Sequence, residues 1–395
     1  DYGTFTLSDY YDMLSPQVYL TELQQILEGP EHTTVIGARY QWGNFNFVNQ
    51  QFASGDILAL FLFPPDQIPE ILNQNQMTDF HRLGFYGYHT WQIVDSFQLT
   101  GGLTYDDLHL PSIMDTTPSS TQERTVVQFS PKAGFIWTPL QNTVLRGAYT
   151  RWLTGAVGED SESIEPTEVA GFNQAYRSIL PESAFGGSYG ADVQAYDIAL
   201  EQKFETGTYL SVAGQFLEST SDQSVGSYIW YWYLPDDYST YPGVLKQSTD
   251  YHEQTLLATA NQLLGKQWSV GARYRLSHAD LDANLVDVPP APQQHWKSVL
   301  NEVDLQANWN HPSGLFSIFQ ANWYDQNNSG FTPAEPGQSF WQCNAFAGYR
   351  MLHRRLEFTV GLLNIFYQDY QLEPLNFYNE MAHSRTFMTR LRINF

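Results

Sequence analysis

Gly186-Gly-Ser188-Tyr-Gly190 has the G-x-S-x-G spacing of a nucleophile elbow. That motif works only where a sharp strand-to-helix turn lifts the serine to its base. Here it closes a Gly-rich stretch and leads into a strand pattern, so it reads as loop composition. Metal chemistry has no local signature either. H-E-x-x-H is absent, and so is the H-x-H spacing that would place two imidazoles on one strand face. The histidines are scattered, with His81, His89, His252, His278, His295, His311, His353 and His383 near the ends of strand patterns. Asp106-Asp107 and Asp236-Asp237 are adjacent, so in a strand they point to opposite faces, and in a loop two carboxylates are far from a calcium site. No enzyme, cofactor or metal is expected. Dyads assembled from distant strands leave no motif, so a Ser, His and acid converging at one rim is the observation that would reveal catalysis.

The basic residues carry more information. Only 19 Lys and Arg stand against 42 Asp and Glu, a formal charge of −23, which disfavours nucleic acid because phosphate contacts need cations. Yet Arg39, Lys132, Arg146, Arg273, Arg275, Arg350, Arg390 and Arg392 all fall on the polar side of alternating segments. Acids crowd the stretches between: Asp56, Asp66 and Glu70; Glu159, Asp160, Glu162, Glu165 and Glu168; Asp236 and Asp237; Asp280, Asp282 and Asp287. If the polar sides face an enclosed interior, two readings are open. A ring of cations would select polar or anionic solutes by sign. Alternatively, the cations pair with wall acids such as Asp197, Glu201, Glu253 and Asp304 and stiffen the wall, because buried charges need partners.

The elements that would position these residues are strands. In Thr34–Trp42, Ile36, Ala38, Tyr40 and Trp42 share one face and Gly37, Arg39 and Gln41 the other. Val270, Ala272, Tyr274 and Leu276 alternate with Gly271, Arg273 and Arg275; Phe387, Thr389, Leu391, Ile393 and Phe395 alternate with Met388, Arg390, Arg392 and Asn394. Short turns are expected near Glu28–Glu31, Val94–Ser96, Thr138–Asn142, Glu205–Thr208, Leu264–Lys266, Asn310–Gly314 and Met351–Arg354. Long polar connections are expected at Asn49–Met77, Pro111–Glu123, Gly155–Gly190, Ser221–Asp250, Ala279–His295, Asn327–Ser339 and Tyr367–Ser384. Strands of 10–15 residues with connections that alternate short and long describe a closed antiparallel up-and-down transmembrane β-barrel with all long loops at one end.

About 15 strands are clear, and one more near Tyr2–Tyr10 brings the expectation to about 16. Gly155–Gly190 or Ser221–Leu234 could hide a further hairpin. Residues 1–395 then form a single outer-membrane barrel, with 1–14 as first strand or lead-in and 385–395 as the closing strand. A helical membrane protein is excluded, since the longest apolar run, Ile57–Phe63, is far below the ~20 residues a helix needs to cross. A soluble sandwich or propeller fits worse, because no blade repeat occurs and soluble strands are shorter. Tyr40, Trp42, Trp137, Tyr149, Trp268, Trp323, Trp341 and Tyr349 lie near the ends of apolar faces, the place of an interfacial aromatic girdle. A single cysteine, Cys343, rules out an internal disulfide. Asp1 opens the chain without leader or initiator Met, which reads as a mature chain or a fragment.

Two loop stretches stand out. Ser227-Tyr-Ile-Trp-Tyr-Trp-Tyr-Leu234 is dense in aromatics that would either stack on sugars or pack at a strand end, and Ile57–Phe63 is apolar enough to require a cover.

The chain end, Arg385-Thr-Phe-Met-Thr-Arg-Leu-Arg-Ile-Asn-Phe395, resembles the signal read by the outer-membrane assembly machinery, with Phe395 as its terminal residue. Ser130–Tyr149 resembles a strand–turn–strand unit of the barrel of TonB-dependent receptors, and Val360–Tyr370 resembles their segment before the last strand. Ile164-Glu-Pro-Thr-Glu-Val-Ala-Gly-Phe-Asn173 is similar to receptor-like barrels fused to periplasmic helical repeats. The resemblance implies a bacterial outer-membrane location and a channel or transporter-like role. Those receptors have about 22 strands and a plugged lumen, whereas no stretch of this sequence resembles a plug. Helical repeats ahead of Asp1 would turn the reading toward export of a polymer. The expected partners are outer-membrane lipid and lipopolysaccharide, the assembly machinery, and a periplasmic domain or complex, with no nucleic acid. The other class is a non-conducting barrel that anchors or scaffolds a periplasmic or surface partner.

Overall fold

The protein is described by a computed structural model covering residues 8–53, 73–113, 120–155, 163–174, 189–234, 237–286, 294–331, 334, 337–352, 355–370 and 383–393, with the backbone alone at 8–12, 50–53 and 227–242. These residues contain no helix. The strands are β1 (Ser8–Glu28), β2 (His32–Ala53), β3 (Asn73–Val94), β4 (Phe97–Pro111), β5 (Glu123–Leu140), β6 (Thr143–Leu153), β7 (Glu168–Val169), β8 (Phe172–Asn173), β9 (Asp192–Lys203), β10 (Thr208–Leu234), β11 (Asp237–Leu264), β12 (Trp268–Leu285), β13 (Gln294–Asn310), β14 (Leu315–Ser329), β15 (Ser339–Met351), β16 (Leu356–Leu363) and β17 (Thr386–Ile393).

Fifteen of them form one sheet in chain order, each antiparallel to the next, and β7 and β8 form a separate hairpin. The all-β, up-and-down architecture read from the sequence therefore holds. The turns β1–β2, β3–β4, β5–β6, β9–β10, β11–β12, β13–β14 and β15–β16 are all short and lie at one end; the remaining connections lie at the other. Gly314 shows what a short turn demands. Its φ is +101°, its carbonyl accepts the Arg350 amide at 2.9 Å, and a Cβ there would run into the Arg350 backbone.

Several details differ from the sequence reading. Ser221–Asp250 is mostly strand rather than loop, because β10 and β11 continue as one ladder to Trp232↔Tyr238. Asp280 and Asp282 lie in β12, not in a connection. The first strand begins at Ser8 and runs on to Glu28. No ladder joins β1 to β17 among the described residues. Asp56, Asp66, Glu70, Glu159, Asp160, Glu162, Asp236 and Asp287, the run Ile57–Phe63, Ser188 and Phe395 lie outside the described residues.

The alternation separates two environments. In β9, Asp197 is 8% exposed while its neighbour Ile198 is 57% exposed. The same inversion recurs on adjacent strands: Arg39 and Gln41 are buried while Tyr40 and Trp42 are exposed, and Ser130 and Lys132 are buried while Phe129 is exposed. Polar side chains are hidden on the inner face, where among the described residues only the segment 163–174, with its hairpin β7–β8, lies against this part of the fifteen-stranded sheet, so that sheet curves around them. Its outer face is the apolar one, the reverse of a soluble sheet and the arrangement of a membrane barrel.

That pattern holds only in the half nearest the short turns. Toward the long connections the inner face of β4 passes from Thr104 and Asp106 to buried Leu108 and Leu110, and that of β2 from Arg39 and Gln41 to buried Phe45 and Phe47. The outer face changes in the opposite sense, from Tyr274 and Leu276 to His278, Asp280 and Asp282 on β12. From Trp268 to His278 the apolar outer stretch rises ten residues. At ~3.3 Å per residue and a tilt of ~40°, that is about 25 Å, the height of the lipid-facing band of outer-membrane barrels.

Val212 lies near the middle of this band, in register with Leu200, Ala258 and, one strand on, Tyr274. Val212→Arg should destabilise the barrel folded in lipid vesicles by about 2–4 kcal/mol, measured by denaturant titration. A substitution without effect would mean that the exposed apolar face does not meet hydrocarbon.

Candidate functional site

The most elaborate side-chain network forms where the segment 163–174, which lies between β6 and β9 in sequence, folds against the inner face. Both flanking strands meet this connection at their long-loop ends. Even so, Gln24 of β1 donates from Nε2 to the Ile164 carbonyl at 2.6 Å, and Arg146 of β6 donates to the Gly171 carbonyl at 2.9 Å. Gln24 is four residues from the short-turn end of β1 and Arg146 three from that of β6. The segment therefore reaches within roughly 10–15 Å of the opposite end of the strands.

Glu165 is the centre of the network. Lys132 Nζ on β5 lies 3.3 Å from its carboxylate, Arg39 Nη1 on β2 lies 3.8 Å away, and the Tyr88 hydroxyl on β3 donates to it at 2.6 Å. Lys132 also donates to the Tyr88 hydroxyl at 2.8 Å. Arg82 on β3 meets Asp106 on β4 at 2.9 Å, and Arg39 reaches the same carboxylate at 3.5 Å. On the far side Glu22 of β1 accepts from the Tyr86 hydroxyl at 2.8 Å, from the Ile164 amide at 3.0 Å and from the Ser163 hydroxyl at 3.2 Å. Ser163 in turn accepts from Arg39 Nη1 at 3.1 Å.

Hairpin β7–β8 fixes the rest of the segment. The side chains of Val169 and Ala170 crowd Gly134 of β5, where any Cβ would come within 2.8 Å of both. A cavity of about 260 Å³ remains between segment and wall, lined by Arg39, Arg82, Asp106, Lys132, Glu165 and Gln174 among others. Two atoms of these residues are buried without a hydrogen-bond partner, Arg39 Nε and Gln174 Oε1. Burial alone would push the Glu165 carboxyl up, but Lys132 and Arg39, with the Tyr88 hydroxyl, hold it below the ordinary carboxylate range.

Of the cations picked from the sequence, only Arg39 and Lys132 meet at Glu165, while Arg146 holds the hairpin. Arg146 also pairs with Glu201 of the wall, as Arg273 does with Glu302 and Asp304 at 3.1 and 3.0 Å and Arg275 with Glu253 at 3.5 Å. Arg350 and Arg390 share Glu357 at 2.8 and 3.0 Å, and Arg392 sits exposed on β17. Asp197 accepts from Gln215 at 2.8 Å. Sequence reasoning missed Arg82, Tyr88, Asp106 and Glu22 as members. Arg82 was open to it, since it alternates with Leu83 and Phe85, but the approach of residues 163–174 had no local signal.

The aromatics picked from the sequence all lie on the outer face. Tyr40 stacks with Trp42 and Trp42 with Tyr19; Trp323 and Trp341 are neighbours, as are Trp268 and Trp309. Tyr149 lies against Tyr196, while Trp137 and Tyr349 are exposed nearer the short turns. A hydroxyl, an imidazole and a carboxylate also line up on this face. Thr125 Oγ1 is 2.8 Å from His109 Nδ1, and Asp107 is 3.0 Å from Nε2.

Gly134→Leu should expel the hairpin without touching a charge, detected as faster hydrogen exchange at residues 168–173. Acid should act differently. Because the Glu165 carboxyl titrates below its ordinary value of about 4.3, its contribution to docking is complete above that pH and is lost as pH falls through the lowered value. Protection of 163–174, taken relative to the intrinsic exchange rate at each pH, should thus be unchanged between pH 7 and 5 and fall only in stronger acid. Release already at pH 6 would contradict this ion-pair geometry.

Comparison with known proteins agrees with this architecture. Residues 1–193 match the family described as "TonB dependent receptor-like, beta-barrel". No curated protein matches the sequence. Among solved structures, "Copper transporter OprC" is 14% identical with a TM-score of 0.56, covering 97% of this chain and 57% of that one. The siderophore receptor PiuA from Acinetobacter baumannii is 12% identical with a TM-score of 0.55, covering 96% and 55%. The ferric-catecholate import receptor Fiu from K12 E. coli is 14% identical with a TM-score of 0.52, covering 98% and 55%. The chain spans about half the length of these structures. It is a β-barrel of the bacterial outer membrane that resembles the barrel of TonB-dependent receptors, in sequence over its first 193 residues and in fold along nearly all of its length.

Proposed function

We propose that the chain is the wall of an outer-membrane transporter-like barrel that passes or binds a polar, anion-bearing solute, with residues 163–174 occupying the lumen in the resting state. The observation that carries this reading is the inner wall at Arg39, Arg82 and Lys132, where buried charge is answered by Glu165 of a segment that is not part of the sheet, beside a small apolar contact of Val169 with Tyr86 and Tyr88. A wall meant only to anchor a partner would gain from apolar packing, since replacing buried ion pairs by well-packed apolar residues is often neutral or stabilising. The copper transporter and siderophore receptors named above support transport as the broad class. Arg39, Lys132, Arg146, Arg273, Arg275, Arg350, Arg390 and Arg392 are then lumen-lining residues, most of them self-paired.

On the outer face, Tyr40, Trp42, Tyr149, Trp323 and Trp341 form the girdle nearest the long connections, and Trp137, Trp268 and Tyr349 the one near the short turns. Lipid fills the space between them. Lys297, paired with Asp280 at 2.9 Å just above the upper girdle, lies where lipopolysaccharide headgroups would be. Phe395 serves the assembly machinery, and a periplasmic partner would meet the short-turn end. No reaction is assigned. Thr125 and His109 face each other directly across the β4–β5 ladder, and Asp107 is two residues along the same face, so register alone brings the three into contact.

Planar-bilayer recording tests the reading. The full-length protein should show little current, and replacing residues 163–174 by a Gly-Ser linker should raise it many-fold with chloride preferred over potassium. A linker variant that folds yet stays silent would overturn transport in favour of a scaffold; a pore preferring potassium would overturn the anion preference.

A further inference from the structure

The inner-face cations that meet carboxylates fall into two groups by where their partner resides. Arg146, Arg273, Arg275, Arg350 and Arg390 meet carboxylates on neighbouring strands, which no loop movement can separate. Lys132 differs: its ion-pair partner is Glu165, on a segment outside the sheet. Arg39 shares Asp106 with Arg82 at 3.5 Å and also meets the segment, through the Glu165 carboxylate at 3.8 Å and the Ser163 hydroxyl at 3.1 Å. With the segment withdrawn, Asp106 would remain the carboxylate against Arg39, and Lys132 would keep the Tyr88 hydroxyl, Glu22 lying on the far side against Tyr86. The 260 Å³ cavity beside these cations already has room for a small ligand, and Arg39 Nε is buried there without a partner.

Resting on the transport reading, we propose that Arg39, Lys132 and the Tyr88 hydroxyl form an oxyanion-binding site of the lumen, that Glu165 occupies it as a built-in stand-in, and that the carboxylate or phosphate group of the solute displaces Glu165 and releases the segment. The chemistry fits in detail. Glu165 receives two charged donors and one hydroxyl within reach of one carboxylate, a set that serves a carboxylate or phosphate oxygen equally well. The competition is direct, because solute and Glu165 claim the same donor atoms. A neutral solute makes no such claim, so the site opens only for the charge class it would pass.

The test places a single reporter on the segment of the full-length protein in detergent. Glu168, exposed on the hairpin, is replaced by cysteine in a Cys343→Ala background and carries an environment-sensitive dye. Citrate and inorganic phosphate are titrated at constant ionic strength, with chloride and glucose as controls. A saturable dye shift is expected with citrate, phosphate or both, and none with the controls. Separate arms identify which oxyanion binds. Glu165→Gln should start at the released signal and bind the effective oxyanion at least tenfold more tightly in isothermal calorimetry, because the competitor is gone. Lys132→Met combined with Arg39→Gln should abolish binding, while Arg275→Gln, whose partner is on the wall, should leave it intact and report on folding.

An equal response to chloride would overturn the site, as would unchanged binding in the Lys132/Arg39 variant or weaker binding in Glu165→Gln. The assay needs no conduction. A barrel that conducts but shows no oxyanion response defeats this inference alone, and one that responds but never conducts defeats the transport reading alone.

Discussion

A charge enclosed by a sheet must be answered by a charge or a hydrogen bond, because stranding it away from water costs far more than folding can supply. This requirement organises the inner face. Among the described residues, Arg146, Arg273 and Arg275 there meet carboxylates on the next strand, Arg39 and Lys132 meet Glu165 of the segment 163–174, and Arg124 meets backbone carbonyls. The lumen segment is thus as much a part of the wall's electrostatics as any strand. It also explains why Glu22, Tyr86 and Tyr88 are polar at positions where a packed barrel would accept leucine.

Each strand also meets two solvents in succession. Between Trp268 and His278 the outer face is apolar and the inner face polar; beyond His278 the assignments exchange. Above the exchange the inner side is a packed cluster in which Leu217, Tyr251, Leu281, Leu300, Tyr324 and Phe340 come from six successive strands, and Tyr324, Phe340, Tyr370 and His383 continue it as a run of stacked rings. That part of the barrel obeys the ordinary rule of apolar inside and charged outside, as a structure standing in water should. The change of sense within single strands marks the level at which lipid ends, and it follows from side-chain placement alone.

The sheet was legible because its signals are local. Period-two alternation assigns faces, and turn residues such as Asn142 and Gly314 mark the short connections where φ is positive. Reading alternation as one pattern throughout hid the exchange of faces, so Asp280 and Asp282 were taken for loop acids when they sit on the outer side of β12. Ser221–Asp250 misled for a related reason: Ser, Asp and Gln are loop formers in water, yet here they extend a strand pair. Glu165 was visible only as one acid among several in a long connection. Its role depends on meeting Arg39 and Lys132, 126 and 33 positions away in sequence, which spacing within the connection cannot encode.

The same nonlocal contact sets how tightly the lumen is held. Removing one partner of a buried ion pair is unfavourable by about 3–5 kcal/mol, a factor of roughly 10²–10⁴ in population. Lys132 is almost wholly enclosed, so Glu165 cannot leave unaided except rarely. If another oxyanion takes its place as it departs, the penalty is never incurred, since the cations remain neutralised throughout. What then separates the docked and released states is the difference between two similar interactions, plus the packing of Val169 and Ala170 on Gly134. In the exchange proposed above, charge would hold the segment in place, and the contact of Val169 and Ala170 with Gly134 would favour its return.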